Sequence, residues 1–188
     1  DQEPERCIMT GGYAYPYIDA ATLRRTLPGL SSVSPFSYGF TSEGELVTLS
    51  DEAILEQAFA SGVRPVMVLT SLNSDDVFDN GLAHALLNDE EAKENLYENI
   101  VANIALKGYK ILDIDFEYLF PEDKKAFENF VAGLREKLDD YGVPVWVALA
   151  PKTSDDQKGL LYEAHDYREL GNIADRLLLM TYEWGYTY

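Results

Sequence analysis

Between residues 108 and 118 the chain reads Gly-Tyr-Lys-Ile-Leu-Asp-Ile-Asp-Phe-Glu-Tyr, alternating with the two-residue period of a β-strand. Asp113, Asp115 and Glu117 fall on one face, and Leu112, Ile114, Phe116 and Tyr118 on the other. Helical patterns lie before and after it, as in parallel α/β folds, where strands are covered on both faces. The acids would then converge in an enclosed space. Taking each out of water costs several kcal/mol unless it is paired, hydrogen-bonded or protonated, so a purely structural account explains them poorly. Chemistry explains them better.

The rest of the chain supplies a fold around this strand. Residues 7–13 read as a first strand, and 32–40 as a second, weakened by Pro35, which has no N–H for a sheet ladder. Residues 64–69 are a continuous apolar run suited to burial on both faces. The acidic stretch is the fourth strand, 143–150 the fifth and 176–182 the sixth. Helices are predicted over 19–27, stopped by Pro28 and Gly29, and from Ser50 as cap through Ala60. A long one starts at Asn88, with Glu91 three residues on as in a capping box, and runs to Lys107. Another, opened by Pro121, carries Phe127, Phe130, Val131, Leu134 and Leu138 at helical spacing, and a last one covers 166–174. Residues 73–80 read as a polar loop.

Strand then helix, repeated with right-handed crossovers, gives a parallel sheet with the loops after the strands on one face. No glycine fingerprint of a dinucleotide-binding sheet is present, which favours a barrel. A complete (β/α)8 barrel needs eight strands and typically about 250 residues. The expectation is therefore an α/β fold, a (β/α)8 TIM barrel truncated after about six strands. Residues 1–188 would form one partial catalytic barrel with unpaired sheet edges. The first residue is Asp1 rather than Met, so the lack of a signal peptide says nothing about secretion.

Charge narrows the partners. Asp and Glu outnumber Lys and Arg 33 to 15, a net charge of -18 that repels phosphate backbones and anionic membrane surfaces. Nucleic acid is thus not an expected partner, and no run of about 18 apolar residues exists to enter a membrane. An uncharged glycan meets no such penalty, and 13 Tyr, 8 Phe and 2 Trp offer rings on which sugars could stack. Tyr13, Tyr15 and Tyr17 crowd the loop after the first strand, where sugar platforms and loop packing are equally good readings. Cys7, the sole cysteine, reads as a strand residue and cannot form an intrachain disulfide.

Along a strand rising about 3.3 Å per residue, Asp115 and Glu117 stand about 6.6 Å apart at the backbone. Their side chains can meet, and two carboxylates that close resist ionising together, so one keeps a proton near neutral pH. Glu117 lies nearest the C-terminal end of the strand, where barrel enzymes place their chemistry, and is the expected proton donor. Asp113 sits deeper and acts on Asp115. Calcium binding is disfavoured because Leu119, Phe120 and Pro121 follow where an EF-hand needs a glycine and further oxygen ligands. His84 and His165 lack metal-ligand spacing, so neither metal nor cofactor is expected.

The segment from Asp113 to Tyr118 resembles the DxDxE signature of glycoside hydrolase family 18, the chitinase-like (β/α)8 enzymes, and residues 180–185 resemble the family's MxYD segment. The likeness is closest to the bacterial spore-cortex and peptidoglycan-lytic N-acetylglucosaminidase branch, through residues 36–38, 88–106, 121–123, 151–152 and 162–167. It implies a substrate-assisted retaining mechanism. Glu117 would protonate the glycosidic oxygen, Asp115 would orient the substrate's acetamide, Tyr182 would hydrogen-bond the acetamide oxygen, and Asp113 would support Asp115. Tyr13, Tyr38, Tyr118, Glu183 and Trp184 are the expected substrate-binding residues. The implied partner is an oligo- or polysaccharide containing N-acetylglucosamine, handled outside the cell or in the envelope or spore, with flanking cell-wall-binding domains possible beyond this chain. A catalytically silent carbohydrate-binding relative is the alternative, although such lectins usually lose the acid that Glu117 supplies here.

The sequence departs from the family in several places. Lys110-Ile111 stand where the family has Asp-Gly, Glu183 replaces the usual Asp, and the SxGG segment is absent near residues 68–71. The tryptophan expected after the last strand falls beyond Tyr188.

Overall fold

The structure, a computed structural model, describes residues 8–73 and 75–181. Six parallel strands form one sheet in the order β1 (Gly11–Ala14), β2 (Ser32–Pro35), β5 (Arg64–Thr70), β6 (Ile111–Asp115), β7 (Val145–Leu149) and β8 (Arg176–Leu179). Two short strands, β3 (Gly39–Phe40) and β4 (Leu46–Val47), pair antiparallel as a separate hairpin. The helices are α1 (Ala20–Thr26), α2 (Glu52–Ala60), α3 (Asn80–Leu87), α4 (Glu90–Lys107), α5 (Lys124–Asp139) and α6 (Tyr167–Ile173). The sheet is an open, curled half-barrel: an Arg176 guanidinium nitrogen of its last strand comes within 3.2 Å of Met9 Sδ, just before its first.

Alternation along the strands divides the side chains between two environments. Met67 and Leu69 of β5, Leu112 and Ile114 of β6, and Val145, Val147 and Leu149 of β7 join the main apolar core with the helices. α5 contributes Phe127, Phe130, Val131, Leu134 and Leu138, all fully buried. Each stabilises the fold by about 1.5–3 kcal/mol as an upper bound. A second core joins Leu23 of α1, Ile54 and Ala58 of α2, and Val33 of β2. The opposite strand faces carry small or polar side chains, among them Ser32, Ser34, Thr70, Asp113, Asp115 and Ala148. That polar interior is where the acids lie.

Helix ends follow side-chain chemistry. The long helix is capped by Asp89, which accepts the Ala92 N–H at 3.0 Å, while Asn88, expected as the cap, closes α3 instead. Gly108 ends α4 at φ +76°, a left-handed conformation glycine adopts without strain. The expected polar loop stops at Asp79, whose carboxylate caps α3, a helix held by Ala83, Leu86 and Leu87 against the core. At α2 the cap position falls on Asp51 rather than Ser50, and the Asp51 carboxylate does not bond the helix N–H groups.

Instead, Asp51 is the centre of a buried polar cluster. It has no solvent exposure and accepts hydrogen bonds from Tyr38, from Tyr109 at 2.5 Å and from Lys107 Nζ at 2.6 Å. Burial alone would lower the Lys107 pKa, but hydrogen bonds to Asp51 and Tyr38 carry it upward. The cluster ties the start of α2 to the end of α4 and the entry of β6.

Strand boundaries are tighter than the sequence suggests. The single strand expected over 32–40 divides into β2, ending at Pro35, and β3; between them Tyr38 bridges to Leu69. The fourth strand ends at Asp115, before Glu117. The sixth ends at Leu179, and Cys7 of the expected first strand lies outside the described residues.

Candidate active site

β6 carries the acids into the sheet interior between β5 and β7, with Asp113 registered against Val68 and Trp146, and Asp115 against Thr70. Asp113 is 1% exposed; its Oδ2 accepts the Tyr13 hydroxyl at 3.1 Å, and its Oδ1 has no hydrogen-bond partner among the described residues. Asp115 is 6% exposed and its Oδ1 is likewise unpartnered among them. Burial raises the Asp113 pKa to about 6, against a lowering by the Tyr13 hydroxyl. Burial, then the charges of Glu117 and Asp113, push Asp115 well above the usual carboxylate range. Both enclosed carboxyls therefore favour the protonated form more than exposed carboxylates do.

Glu117 follows the strand and is half-buried. Its predecessor Phe116, 1% exposed, anchors the chain there: its ring lies 5.2 Å from Phe40, 5.7 Å from Phe127 and 5.4 Å from Phe130. The backbone preceding the acid is thus fixed by the helix-side core. Tyr118 was expected on the same apolar face as Phe116. The strand has already ended, and Tyr118 takes φ +56° and turns outward, 44% exposed, while Leu119 is buried. Its ring lies 6.1 Å from Phe78, tilted by 48°.

Tyr13 is half-exposed as well as bonded to Asp113, so β1 itself reaches the carboxylates. Tyr38 is different. It was expected to bind substrate, but it has no exposure and its hydroxyl is engaged by Asp51, so it is a core residue and cannot offer its ring to a sugar. Tyr182, Glu183 and Trp184 lie outside the described residues.

Sequence reasoning passed over Thr70, the last residue of β5. Its hydroxyl lies 2.9 Å from Ser37 Oγ, making a fixed polar pair beside Asp115. The only signal was a threonine ending an apolar strand, which many strands share. His84 Nδ1 sits 2.9 Å from both Asp123 carboxylate oxygens, and Asn88 donates to the same carboxylate at 2.8 Å. His165 is buried with Nδ1 3.2 Å from the Leu161 carbonyl, its pKa lowered by burial. His84 is therefore tied to Asp123 across 39 residues of chain, and His165 is a buried residue bonded within its own loop.

Among the described residues no group of three or more His, Cys, Asp or Glu is arranged to hold a metal ion. The arrangement offers acids, one half-buried and two enclosed, at the C-terminal end of a parallel strand. It can supply a proton to a leaving group while stabilising positive charge nearby.

The family model described as glycosyl hydrolases family 18 matches residues 64–186. The chain is 35% identical over 190 residues to the cortical fragment-lytic enzyme of Bacillus subtilis (strain 168), covering 98% of this chain and 44% of that protein. The putative sporulation-specific glycosylase YdhD of the same organism is 31% identical over 90% of this chain and 40% of its own length. The crystal structure of the Bacillus cereus spore cortex-lytic enzyme SleL superposes with a TM-score of 0.90 at 28% identity, covering 99% of this chain and 44% of that one. The chain spans less than half the length of these relatives.

Proposed function

Because the chain belongs to glycosyl hydrolases family 18 and is similar to its spore-cortex-lytic members, we propose that it carries the acids of a glycosidase cleaving β-linked, N-acetylglucosamine-containing glycans. The observation that carries this reading is the line of Asp113, Asp115 and Glu117, two of them enclosed with an unpartnered oxygen each among the described residues. Glu117, the more accessible acid, gives its proton to the glycosidic oxygen as the bond to the anomeric carbon breaks. The acetamide oxygen of the same sugar attacks that carbon, and positive charge spreads onto the acetamide nitrogen. Asp115 accepts the acetamide N–H and is favoured as the anion once that charge develops. The proton that burial holds on Asp115 then needs an acceptor, and Asp113, next along the same face with a pKa raised to about 6, is suited to take it. Water then opens the cyclic intermediate from the face opposite the acetamide oxygen, the one the leaving group vacated, giving net retention.

By similarity to the cortex-lytic proteins, the substrate is a cell-wall or cortex glycan met outside the cell or in the spore envelope. Tyr13, Tyr118 and, beyond the described residues, Tyr182, Glu183 and Trp184 complete the proposed sugar contacts. The test uses the full-length protein. Glu117→Gln is expected to lower turnover of N-acetylglucosaminide substrates by about a hundred- to ten-thousandfold while oligosaccharide binding by calorimetry is retained. Equal turnover by the variant removes Glu117 from the acid role. A wild type that binds but never cleaves chitin, peptidoglycan or cortex fragments would be a carbohydrate-binding protein instead.

A further inference from the structure

Beside the acids, a cavity of about 920 Å³ opens between the loop after β1, the exit of β2, the β3–β4 hairpin and the loop after β5. Rings lead into it from the site. Tyr13, bonded to Asp113, meets Phe36 edge-on at 5.9 Å; Phe36 meets Tyr15 edge-on at 5.9 Å; Tyr15 stacks on Tyr17 at 5.2 Å with only 6° between the planes. Tyr15 is 53% and Tyr17 82% exposed, so little of the Tyr17 ring serves the core. At the floor Thr70, paired with Ser37, is the register neighbour of Asp115. Thr70 thus borders the cavity and stands beside Asp115.

Its charge is one-sided. Among the described residues no Lys or Arg lines the cavity, and Asp76 is the one carboxylate that does. Asp76 sits at φ +56° in a turn where its N–H bonds the Asn73 carbonyl at 3.1 Å, beside the Phe78 and Leu72 walls. Parallel exposed rings suit the flat faces of pyranoses, whose C–H groups meet the electron-rich ring face. A lone carboxylate without a neighbouring cation raises the free energy of any bound anion. Asp113 and Asp115 further along add the same sign whenever they ionise.

We propose that this groove is an extended glycan subsite which selects uncharged sugar units by stacking on Tyr15 and Tyr17 and, through Asp76, discriminates against units bearing a carboxylate. The inference rests on the reading that the acids cleave an N-acetylglucosamine glycan, and it narrows that glycan to one whose segment in this groove is neutral.

The experiment measures binding by calorimetry and, separately, hydrolysis, with full-length protein at low and high salt. The probes are neutral N-acetylglucosamine oligomers of two to six units, muramic acid-containing oligomers of equal length with free lactyl carboxylates, and an aryl N-acetylglucosaminide too short to reach the groove. Neutral oligomers are expected to gain affinity with length, and Tyr17→Ala or Tyr15→Ala to remove about tenfold of that gain. Hydrolysis of the aryl glycoside should be unchanged. Anionic oligomers are expected to bind about tenfold more weakly at low salt than neutral ones, and Asp76→Lys to abolish the difference, less markedly at high salt. Affinity independent of length, or unaltered by the tyrosine changes, overturns the subsite. Equal binding of both oligomers, or a difference that survives Asp76→Lys, overturns the charge selection. If the wild type binds with the expected length and charge dependence but hydrolyses neither oligomers nor the aryl glycoside, the glycosidase reading fails and the groove stands.

Discussion

Replacing Asp113 with Asn should make the protein more stable at neutral pH relative to wild type than it is in acid, while impairing the site. In the folded chain Asp113 is 1% exposed and its pKa is raised from 3.8 to about 6. A folded-state value above the unfolded one means that the native protein binds this proton more tightly. The stabilising contribution is therefore complete below pH 3.8 and is lost as the pH rises through about 6, above which no further change is expected. The rise from 3.8 to about 6, at about 1.36 kcal/mol per pH unit, makes the loss about 3 kcal/mol. Asparagine keeps the shape and can still accept the Tyr13 hydroxyl, but carries no proton to lose. Urea unfolding of both proteins from pH 4 to 8 should show the free-energy difference moving by about 3 kcal/mol in favour of the variant, mostly between pH 4 and 6.5. A difference constant with pH, or one moving toward the wild type, would refute the claim that Asp113 is held protonated by burial.

Tyr13→Phe removes the hydroxyl that lowers the Asp113 pKa, so the Asp113 titration should move to higher pH by carboxyl-carbon NMR; an unmoved midpoint would show that the 3.1 Å bond has no energetic weight. Lys107→Met leaves the fully buried Asp51 without its cation and should cost about 3 kcal/mol in urea unfolding, with the Asp51→Asn, Lys107→Met double change costing less than Lys107→Met alone. A single change costing under about 1 kcal/mol would mean that the Tyr38 and Tyr109 hydroxyls satisfy Asp51 by themselves. Asp115→Asn in the full-length protein should reduce turnover of N-acetylglucosaminides by more than about tenfold and flatten its pH dependence, because the group pushed above the carboxylate range no longer titrates. An unchanged pH–rate profile would place that titration elsewhere.

Several elements were legible because local rules and tertiary packing agree. The apolar run of β5 and the stripe Phe127, Phe130, Val131, Leu134 and Leu138 of α5 have the same period in sequence as in the core. Elsewhere local signals were ambiguous. Asn88 and Asp89 are both good caps, and only the packing of α3 against the core decides that Asn88 closes one helix while Asp89 opens the next. α3 itself begins among Asp79, Asn80 and Gly81, which locally favour a turn; contacts of Leu86 and Leu87 with the core override that preference. Tyr38 was an expected substrate-binding residue, but Asp51, thirteen residues away, accepts its hydroxyl within the core.

By itself the sequence determined that Asp113 and Asp115 share a face and that a strand–helix alternation surrounds them, because a two-residue period is a local property of the backbone. It did not determine what those acids experience. Their burial comes from β5 and β7 on either side, and the Tyr13 hydroxyl that moderates Asp113 comes from a hundred residues earlier in the chain. Nor could periodicity foresee that the strand ends at Asp115, that the Phe116 ring is gripped by Phe40, Phe127 and Phe130, or that Tyr118 turns outward at φ +56°. Desolvation and side-chain anchoring depend on which distant segments meet. The acidity of the site was therefore decided by the tertiary structure, although the identity of its acids was already written in the strand.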